Sequence, residues 1–327
     1  MALLEVSNLR VELTTRKGVA PVIDDLSFSL DAGETLSFVG ESGCGKSMTA
    51  LALMGLLPDK IGRIASGSIM FDGEDLTKAS EARMRDIRGN DISMIFQEPM
   101  TSLNPVYTVG DQIAEVLRAH QNMSKRASWD QAIELLDAVR IPNPKARAAD
   151  YPFQMSGGQR QRVMIAMGLA CKPKLLIADE PTTALDVTVQ AQIFELLHEL
   201  RDKTGTAIIL ITHDMGAVAE MAERMIVMYA GRMAEAGPVD DIIEHARHPY
   251  TKGLISCVPH LLATLTDDRP PLTEVPGIVP GLDSFGANRC LFASRCNLRS
   301  QKCLDHRPEV KTFDNGQASA CWHAEAV

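Results

Sequence analysis

Apolar and polar residues alternate along two stretches near the start of the chain, residues 3–13 and 22–30. This period of two predicts a pair of strands, each with one buried and one exposed face. Shorter runs that are almost entirely apolar follow at 36–39, 92–96, 175–178 and 207–212. Such runs are typical of buried strands, and the one at 175–178 predicts a central strand of a parallel sheet.

Patterns with helical spacing lie between the predicted strands. They predict helices over residues 48–57, around 113–117 and over 189–200. Residues 154–159 predict the opening of a further helix that runs to about residue 170. A capping box at Ser128 and Gln131 predicts that one more helix begins there. Because strands and helices alternate, the pattern favours an α/β fold with a parallel sheet, and the two opening strands predict an antiparallel edge.

The pattern changes after about Pro238, where prolines interrupt every periodic run. We therefore predict a large domain over 1–240, with a helical subdomain at about 98–172, and an irregular appendage over 241–327. Residues 225–229 and 232–235 lie on either side of Ala230 and Gly231, and this arrangement predicts a hairpin just before the boundary.

The composition is that of an ordinary globular protein, with 45% hydrophobic and 23% charged residues. A net charge of −9 argues against a general nucleic-acid binder. The first residues lack the basic segment and apolar core of a signal peptide, and no apolar run is long enough to cross a bilayer. We expect a soluble protein, or one that binds a membrane only through partners.

A glycine-rich segment between a predicted strand and a predicted helix fits the pattern G-x-x-x-x-G-K-[ST]. Its residues are Gly40, Glu41, Ser42, Gly43, Cys44, Gly45, Lys46 and Ser47, followed by Met48. Glycines let successive backbone N–H groups point at one anion, and the helix N-terminus adds partial positive charge. Lys46 is expected to reach the β- and γ-phosphates of a nucleotide, and Ser47 to bind Mg²⁺.

Polar residues follow three of the predicted strands at the points where the strands end. Asp179 is suited to hold Mg²⁺, and the adjacent Glu180 to polarise an attacking water. His213 ends a neighbouring strand and could hold the γ-phosphate and that water, although a histidine that only caps the strand is an alternative. Gln97 also ends a strand, and its alternative is a solvated loop residue.

In their order along the chain, these segments resemble the motifs of an ABC-family ATPase, which has the P-loop NTPase fold. The resemblance adds a signature sequence at Ser156, Gly157, Gly158 and Gln159, and a D-loop at Ala184, Leu185 and Asp186. Met155 stands where the family usually has leucine. Residues 97–105, 248–251 and 276–281 are similar to ATPase subunits of oligopeptide/dipeptide permeases. The resemblance covers essentially the whole chain.

The resemblance implies an ATP-hydrolysing subunit that powers import of di- or oligopeptides. It implies nucleotide binding by residues 40–48 and Gln97, and catalytic roles for Glu180, His213 and Gln97. It further implies that Ser47, Gln97 and Asp179 hold Mg²⁺.

The implied partners are two transmembrane permease subunits, an extracytoplasmic solute-binding protein and a second ATPase subunit, usually a paralogue. The signature residues would contact ATP held by that second subunit, and Asp186 would lie at the interface between the two ATPases. These partners imply a peripheral location at the cytoplasmic face of the inner membrane.

Four of the seven cysteines cluster with the spacing C-x(5)-C-x(6)-C-x(17)-C, at Cys290, Cys296, Cys303 and Cys321. Without a secretion signal, such a cluster favours metal ligands over disulfides. Four cysteines suit a [4Fe–4S] cluster or structural zinc, and four reduced thiols are the third interpretation. Similarity to peptide-permease ATPases favours the [4Fe–4S] cluster. We interpret Cys44 as structural, with a thiol that alkylating reagents could reach.

One departure from the family concerns the adenine, which usually stacks on an aromatic residue of the first strand. Residues 11–13 include no aromatic residue, and we expect Leu13 to take that place. A non-transport ABC ATPase and a nucleotide-binding regulator are alternative functions. The single ATPase module, the short stretch from Lys46 to Ser156 and the full set of catalytic residues argue against them. Nickel, glutathione and other small solutes are alternative cargoes.

Overall fold

The computed structural model describes residues 2–97, 102–183, 185–257 and 274–327. The chain divides into two compact units. The first comprises Met1–Leu4, Ser29–Thr35 and Met70–Ile211, and the second comprises Glu5–Phe28, Leu36–Ile69 and Thr212–Val327. These units do not follow the predicted domain boundary at residue 240, and that boundary stays a prediction.

The elements confirm the alternation of strands and helices. The strands of the described residues are β1 (Leu4–Thr15), β2 (Gly18–Leu30), β3 (Thr35–Val39), β4 (Gly62–Phe71), β5 (Glu74–Asp75), β6 (Ile92–Ile95), β7 (Leu175–Asp179), β8 (Ala207–Ile211), β9 (Arg224–Tyr229), β10 (Arg232–Pro238), β11 (Lys311–Thr312) and β12 (Ala318–Ser319). Their helices are α1 (Lys46–Leu53), α2 (Glu81–Ile87), α3 (Val109–Gln121), α4 (Lys125–Ala138), α5 (Pro144–Arg147), α6 (Gly157–Leu169), α7 (Val187–Thr204), α8 (Met215–Met221), α9 (Val239–Glu244), α10 (Pro249–Ser256) and α11 (Gln301–Asp305).

The first unit contains the parallel strands β6, β7 and β8. Ile95 lies opposite Ala178, and Asp179 lies opposite Ile211. Every residue of β7 and β8 is buried, as expected for strands covered on both faces. Because parallel strands end at the same edge of a sheet, the polar residues that follow β6 and β7 lie close together.

Helices α3, α4 and α6 of the first unit pack against one another. The start of α4 was predicted one turn too late. Ser124 is the N-cap, and its hydroxyl accepts a hydrogen bond from the Ala127 N–H at 3.2 Å. Ser128 lies inside the helix, where its hydroxyl donates to the Lys125 carbonyl at 3.2 Å. Both serines are good N-caps, and the earlier one wins because the helix gains a further turn of backbone hydrogen bonds.

The opening strands β1 and β2 are joined by residues 16–17 and lie mainly in the second unit. Along β1, the spacing between buried side chains changes from two residues to three between Val6 and Leu9. At this point Asn8 has a φ of 49°, and its side-chain amide donates to Asp25 Oδ1 at 2.9 Å. The irregular step lets apolar residues on both sides of it face the core.

The rest of the second unit is built around β9. This strand pairs in parallel with β3 and antiparallel with β10, across the predicted hairpin at Ala230 and Gly231. The short strand β12 pairs with β10, so residues near the C-terminus extend the sheet. The irregular appendage therefore contributes a strand to this sheet.

Prolines after residue 238 start regular structure as well as ending it. Helix α10 begins at Pro249, whose missing N–H costs nothing in the first turn. His248 is the N-cap, and its Nδ1 accepts a hydrogen bond from the Tyr250 N–H at 3.1 Å. Tyr250, Tyr229 and Phe292 pack as tilted and edge-to-face rings in the core beneath this helix.

Candidate nucleotide-binding site

Close packing requires glycine at both ends of the predicted phosphate loop. Gly40 has a φ of 151°, and a Cβ there would lie 2.4 Å from the carbonyl oxygen of Met228. Gly45 has a φ of 111°, and a Cβ there would lie 2.6 Å from Cδ1 of Ile23. Because these distances are far below van der Waals contact, a larger residue at either position would push the loop away from β9 or β2.

Lys46 is the first residue of α1, and Ser47 and Met48 follow it, half-buried, in the first turn. Its ammonium donates to the carbonyl oxygens of Gly40 at 2.7 Å and Glu41 at 3.2 Å. These two hydrogen bonds fix the positively charged ammonium of Lys46 beside the backbone at the start of the loop. Together with the positive end of α1, the ammonium makes the loop a favourable place for an anion.

Cys44 is buried at the base of the loop, with 1% of its surface exposed. Its carbonyl oxygen accepts a hydrogen bond from the Gly231 N–H at 2.9 Å. Burial raises the pKa of the Cys44 thiol, which opposes formation of the reactive thiolate. The expectation that alkylating reagents could reach this thiol is therefore wrong.

Glu41 links the phosphate loop to two residues from distant parts of the chain. Its N–H donates to the Tyr250 hydroxyl at 2.8 Å. Its carboxylate accepts two hydrogen bonds from the Arg295 guanidinium, at 2.7 and 3.0 Å. Sequence reasoning missed both partners, although Tyr250 belongs to the segment 248–251 that was noted for its resemblance to peptide-permease ATPases.

Gln97 and Glu180 are brought together at the edge of the parallel strands. Gln97 Nε2 donates to Glu180 Oε2 at 2.8 Å, and the Thr183 hydroxyl donates to the same oxygen at 2.9 Å. Asp179, the last residue of β7, is buried beside them in the chain. Two donors thus orient the carboxylate that was predicted to polarise water. Thr183 was not predicted, and no sequence signal singled it out.

The backbone of Glu180 is strained. Its φ is 48°, in the left-handed region that residues other than glycine rarely occupy. The Glu180 N–H donates to the Ile211 carbonyl at 2.8 Å, which fixes the turn directly after β7. Strained residues of this kind cluster at functional sites, because the surrounding structure must hold them.

The predicted signature sequence forms the N-terminus of α6. Ser156 is the N-cap, and its hydroxyl accepts from the Gln159 N–H at 3.3 Å while Gln159 Oε1 accepts from the Ser156 N–H at 3.0 Å. Ser156 and Gly157 are exposed, and a Cβ on Gly158 would lie 2.9 Å from Cγ1 of Val189. The glycines therefore keep the start of this helix open on one side and closely packed on the other.

The remaining predicted residues have separate local positions. Asp186 is the N-cap of α7, where its carboxylate accepts from the Val189 N–H at 2.9 Å. His213 is exposed two residues beyond β8, and Leu13 is half-buried in β1. Ala184 of the D-loop and residues 98–101, which follow Gln97, lie outside the described residues.

All seven cysteines are free thiols. The clustered ones approach one another: the Cys290 N–H donates to the Cys303 carbonyl at 3.0 Å. Burial, assisted by the charges of the other three thiols, raises the pKa of Cys321 to about 11. Within the described ranges, no three histidine, cysteine or acidic side chains are close enough to hold a metal ion. The donor set suits an iron–sulfur cluster or zinc in its chemistry, but the sulfurs are not in a metal-binding arrangement.

Comparisons with known proteins agree with this geometry. The family model "ABC transporter" matches residues 23–183, and "Oligopeptide/dipeptide transporter, C-terminal region" matches residues 234–303. A peptide import ATP-binding protein of Brucella melitensis is 47% identical over 326 residues, with 98% of this chain and 96% of the relative covered. A peptide ABC transporter ATP-binding protein of Sinorhizobium fredii is 46% identical over 325 residues, covering 99% and 96%.

Solved structures give the same result for the fold. A dimeric ATP-binding cassette in a post-hydrolysis state, bound to ADP and Pi, matches with a TM-score of 0.65 and 26% identity. The match covers 72% of this chain and 98% of that one. The fold and the loop geometry thus define a P-loop ATPase of the ABC class, with mixed sheets, a helical region and a C-terminal extension.

The relatives that match over nearly the full length narrow this class further. The chain belongs to the ATP-binding subunits of ABC transporters of the oligopeptide/dipeptide type. ATP and Mg²⁺ are the ligands expected for this family. Among the described helices, none is both long enough and apolar enough to cross a bilayer.

Proposed function

We propose that this chain hydrolyses ATP to drive the import of di- or oligopeptides through a membrane permease. The observation that carries the proposal is the contact of Tyr250 and Arg295 with Glu41. It joins the region that matches peptide transporters to the loop that binds nucleotide in ATPases of this class. The two relatives that match over nearly the whole chain are named as a peptide import ATP-binding protein and a peptide ABC transporter ATP-binding protein.

Within the site, Lys46 contacts the β- and γ-phosphates, and the N–H groups of residues 40–48 surround them. Ser47, Asp179 and Gln97 serve Mg²⁺. Glu180 polarises the attacking water, in an orientation set by the hydrogen bond from Gln97. His213 holds the γ-phosphate. These roles follow the residue chemistry and the family resemblance.

A second ATPase subunit completes each site in this proposal. The exposed start of α6, with Ser156, Gly157, Gly158 and Gln159, contributes N–H groups and a helix dipole to ATP held by the partner. Asp186 lies at the interface between the subunits. The similarity to a cassette that was solved as a dimer supports this arrangement.

Two permease subunits and an extracytoplasmic solute-binding protein are the other proposed partners, with the chain at the cytoplasmic face of the inner membrane. Exposed apolar residues in the helical region support a protein partner: Val106, Tyr107 and Phe153 are 71%, 56% and 66% exposed. The segments that carry them are joined by a hydrogen bond from the Val109 N–H to the Asp150 carbonyl at 2.9 Å. Exposed apolar groups of this kind are typical of protein–protein contact sites.

We further propose that Cys290, Cys296, Cys303 and Cys321 ligate a [4Fe–4S] cluster. The proposal is supported by their number, by their spacing along the chain and by the hydrogen bond from the Cys290 N–H to the Cys303 carbonyl. The cluster would stabilise the C-terminal region, whose described residues form few long helices or strands.

The test of the transport function is reconstitution. The chain should be co-purified with its permease and second ATPase subunit, inserted into vesicles, and supplied with binding protein and labelled peptides. We expect peptide uptake that requires ATP and stops with Lys46→Ala. Uptake of nickel or glutathione in place of peptides would contradict the peptide cargo but would leave the assignment as a transport ATPase intact. Failure to bind any permease would contradict the transport function.

A further inference from the structure

The guanidinium of Arg295 donates hydrogen bonds to separate parts of the chain, among them Glu41 and residues 275–276. Beyond the two bonds to Glu41, Nε donates to the Pro276 carbonyl at 2.7 Å and Nη2 to the Val275 carbonyl at 3.0 Å. Its side chain is 2% exposed. A buried arginine with a bidentate carboxylate partner has a fixed position, because any other orientation would leave charges unpaired. Arg295 therefore acts as a rigid anchor.

Glu41 in turn is held on three sides. Arg295 binds its carboxylate, Tyr250 accepts from its N–H, and its carbonyl oxygen accepts from Lys46 Nζ. Tyr250 is fully buried, so its hydroxyl has no access to solvent. The backbone of residue 41 is consequently set by two C-terminal side chains. The carbonyl oxygen of Glu41 is also one of the two oxygens that accept hydrogen bonds from the Lys46 ammonium and orient it.

We propose that Arg295 and Tyr250 are positioning residues for nucleotide binding, which hold Glu41 so that the phosphate loop and Lys46 match a bound polyphosphate. The inference rests on the proposed assignment of residues 40–47 as the phosphate loop. It adds a task to the C-terminal region, which sets the affinity of the loop for MgATP. Neither residue touches the nucleotide in this proposal.

The test is calorimetric titration of the full-length chain with MgATP. Tyr250→Phe removes only the hydroxyl, and we expect the Kd for MgATP to rise roughly fivefold. Arg295→Met leaves the Glu41 carboxylate without its partner, and we expect a rise of at least about tenfold. Arg295→Lys keeps the positive charge but cannot donate two parallel hydrogen bonds to the Glu41 carboxylate. Its Kd for MgATP should therefore lie between those of the wild type and Arg295→Met.

A matched control separates positioning from loss of stability. Arg247 is another arginine of the second unit, and its Nε donates a hydrogen bond to Gln317 Oε1 at 2.7 Å. Arg247→Met should lower the thermal unfolding temperature and leave the Kd within about twofold of the wild type. An equal rise in Kd for Arg247→Met, or an unchanged Kd for folded Tyr250→Phe, would overturn the proposal. If Arg295→Met does not fold, Tyr250→Phe decides.

The proposed function itself is checked in the same experiment. If the wild type binds MgATP and Lys46→Ala does not, the phosphate-loop assignment stands independently of the result for Tyr250 and Arg295. If wild type and Lys46→Ala bind equally, the assignment fails, and the positioning proposal fails with it.

Discussion

Gln97 donates a hydrogen bond to Glu180 across 2.8 Å. Gln97 is the second residue after β6, and Glu180 is the first residue after the neighbouring strand β7. The two residues are 83 positions apart in the chain. Because the same carboxylate oxygen also accepts from Thr183, its direction is fixed before any substrate binds. A carboxylate with a fixed direction suits general-base work, in which geometry matters as much as basicity.

The first prediction concerns Glu180→Gln. The amide keeps the size of the side chain and removes the group that polarises water, so MgATP should still bind while turnover falls at least ~100-fold. Steady-state ATPase assays and nucleotide titration of the assembled transporter measure the two effects separately. Lys46→Ala serves as the contrast, because it should lose nucleotide affinity. Near-normal turnover in Glu180→Gln would refute the assignment of the base.

The second prediction concerns Ser156→Arg. The exposed start of α6 should serve the site on the partner subunit, so the substitution should impair hydrolysis there and spare the site on its own chain. The mutant is paired with a second subunit whose own phosphate loop is disabled. ATPase activity should persist in the remaining site on the mutant chain. Loss of activity in that site too would contradict the assignment in trans.

The third prediction concerns the cysteine cluster. Anaerobically purified protein should be brown and contain about four irons per chain. Serine at any one of Cys290, Cys296, Cys303 or Cys321 should bleach it. Cys44→Ser and Cys257→Ser are matched controls that should leave the iron content unchanged. Stoichiometric zinc without iron would favour a structural zinc site, and the absence of any metal would leave four reduced thiols.

The fourth prediction concerns His248 and acid stability. Burial lowers the pKa of His248 from 6.5 to about 4. Between these values the unfolded chain binds a proton that the folded chain does not, so the free energy of unfolding falls as the pH falls. The full effect amounts to about 3 kcal/mol and is complete below pH 4. Nearby Glu235, which accepts from the His248 N–H, has a pKa raised by burial and contributes the opposite slope above pH 4.5.

His248→Asn isolates the histidine contribution, since asparagine keeps an N-cap acceptor and cannot be protonated. Denaturant unfolding at pH 7.5 and pH 5 should show a smaller loss of stability for this variant than for the wild type. The exposed His245→Asn is the control and should behave as the wild type. Equal losses in all three proteins would exclude His248 as the source.

The local features of the fold followed from local sequence signals. Strand β7 was predicted because a run of four apolar residues, 175–178, is typical of a central parallel strand. The phosphate loop was predicted because its glycine spacing suits a backbone that curls around an anion. The start of α4 was misplaced because Ser124 and Ser128 carry the same signal. Thr183 lies only three residues from Glu180 and was missed because no sequence motif pointed to it. Arg295 was missed because its partner is set by tertiary packing: Arg295 and Glu41 are 254 residues apart. Neither periodicity nor spacing encodes such a pair.

The bond between Glu41 and Tyr250 limits how chains of this kind can be recombined. The first segment that matches a family model ends about fifty residues before the second begins. This gap is an obvious place to join the C-terminal region of one paralogue to the ATPase domain of another. A C-terminal region from another protein would place its own residues at the positions of Tyr250 and Arg295. Those residues would then contact the phosphate loop directly. Chimeric subunits should therefore retain activity only when the loop and the C-terminal region are inherited as a matched set.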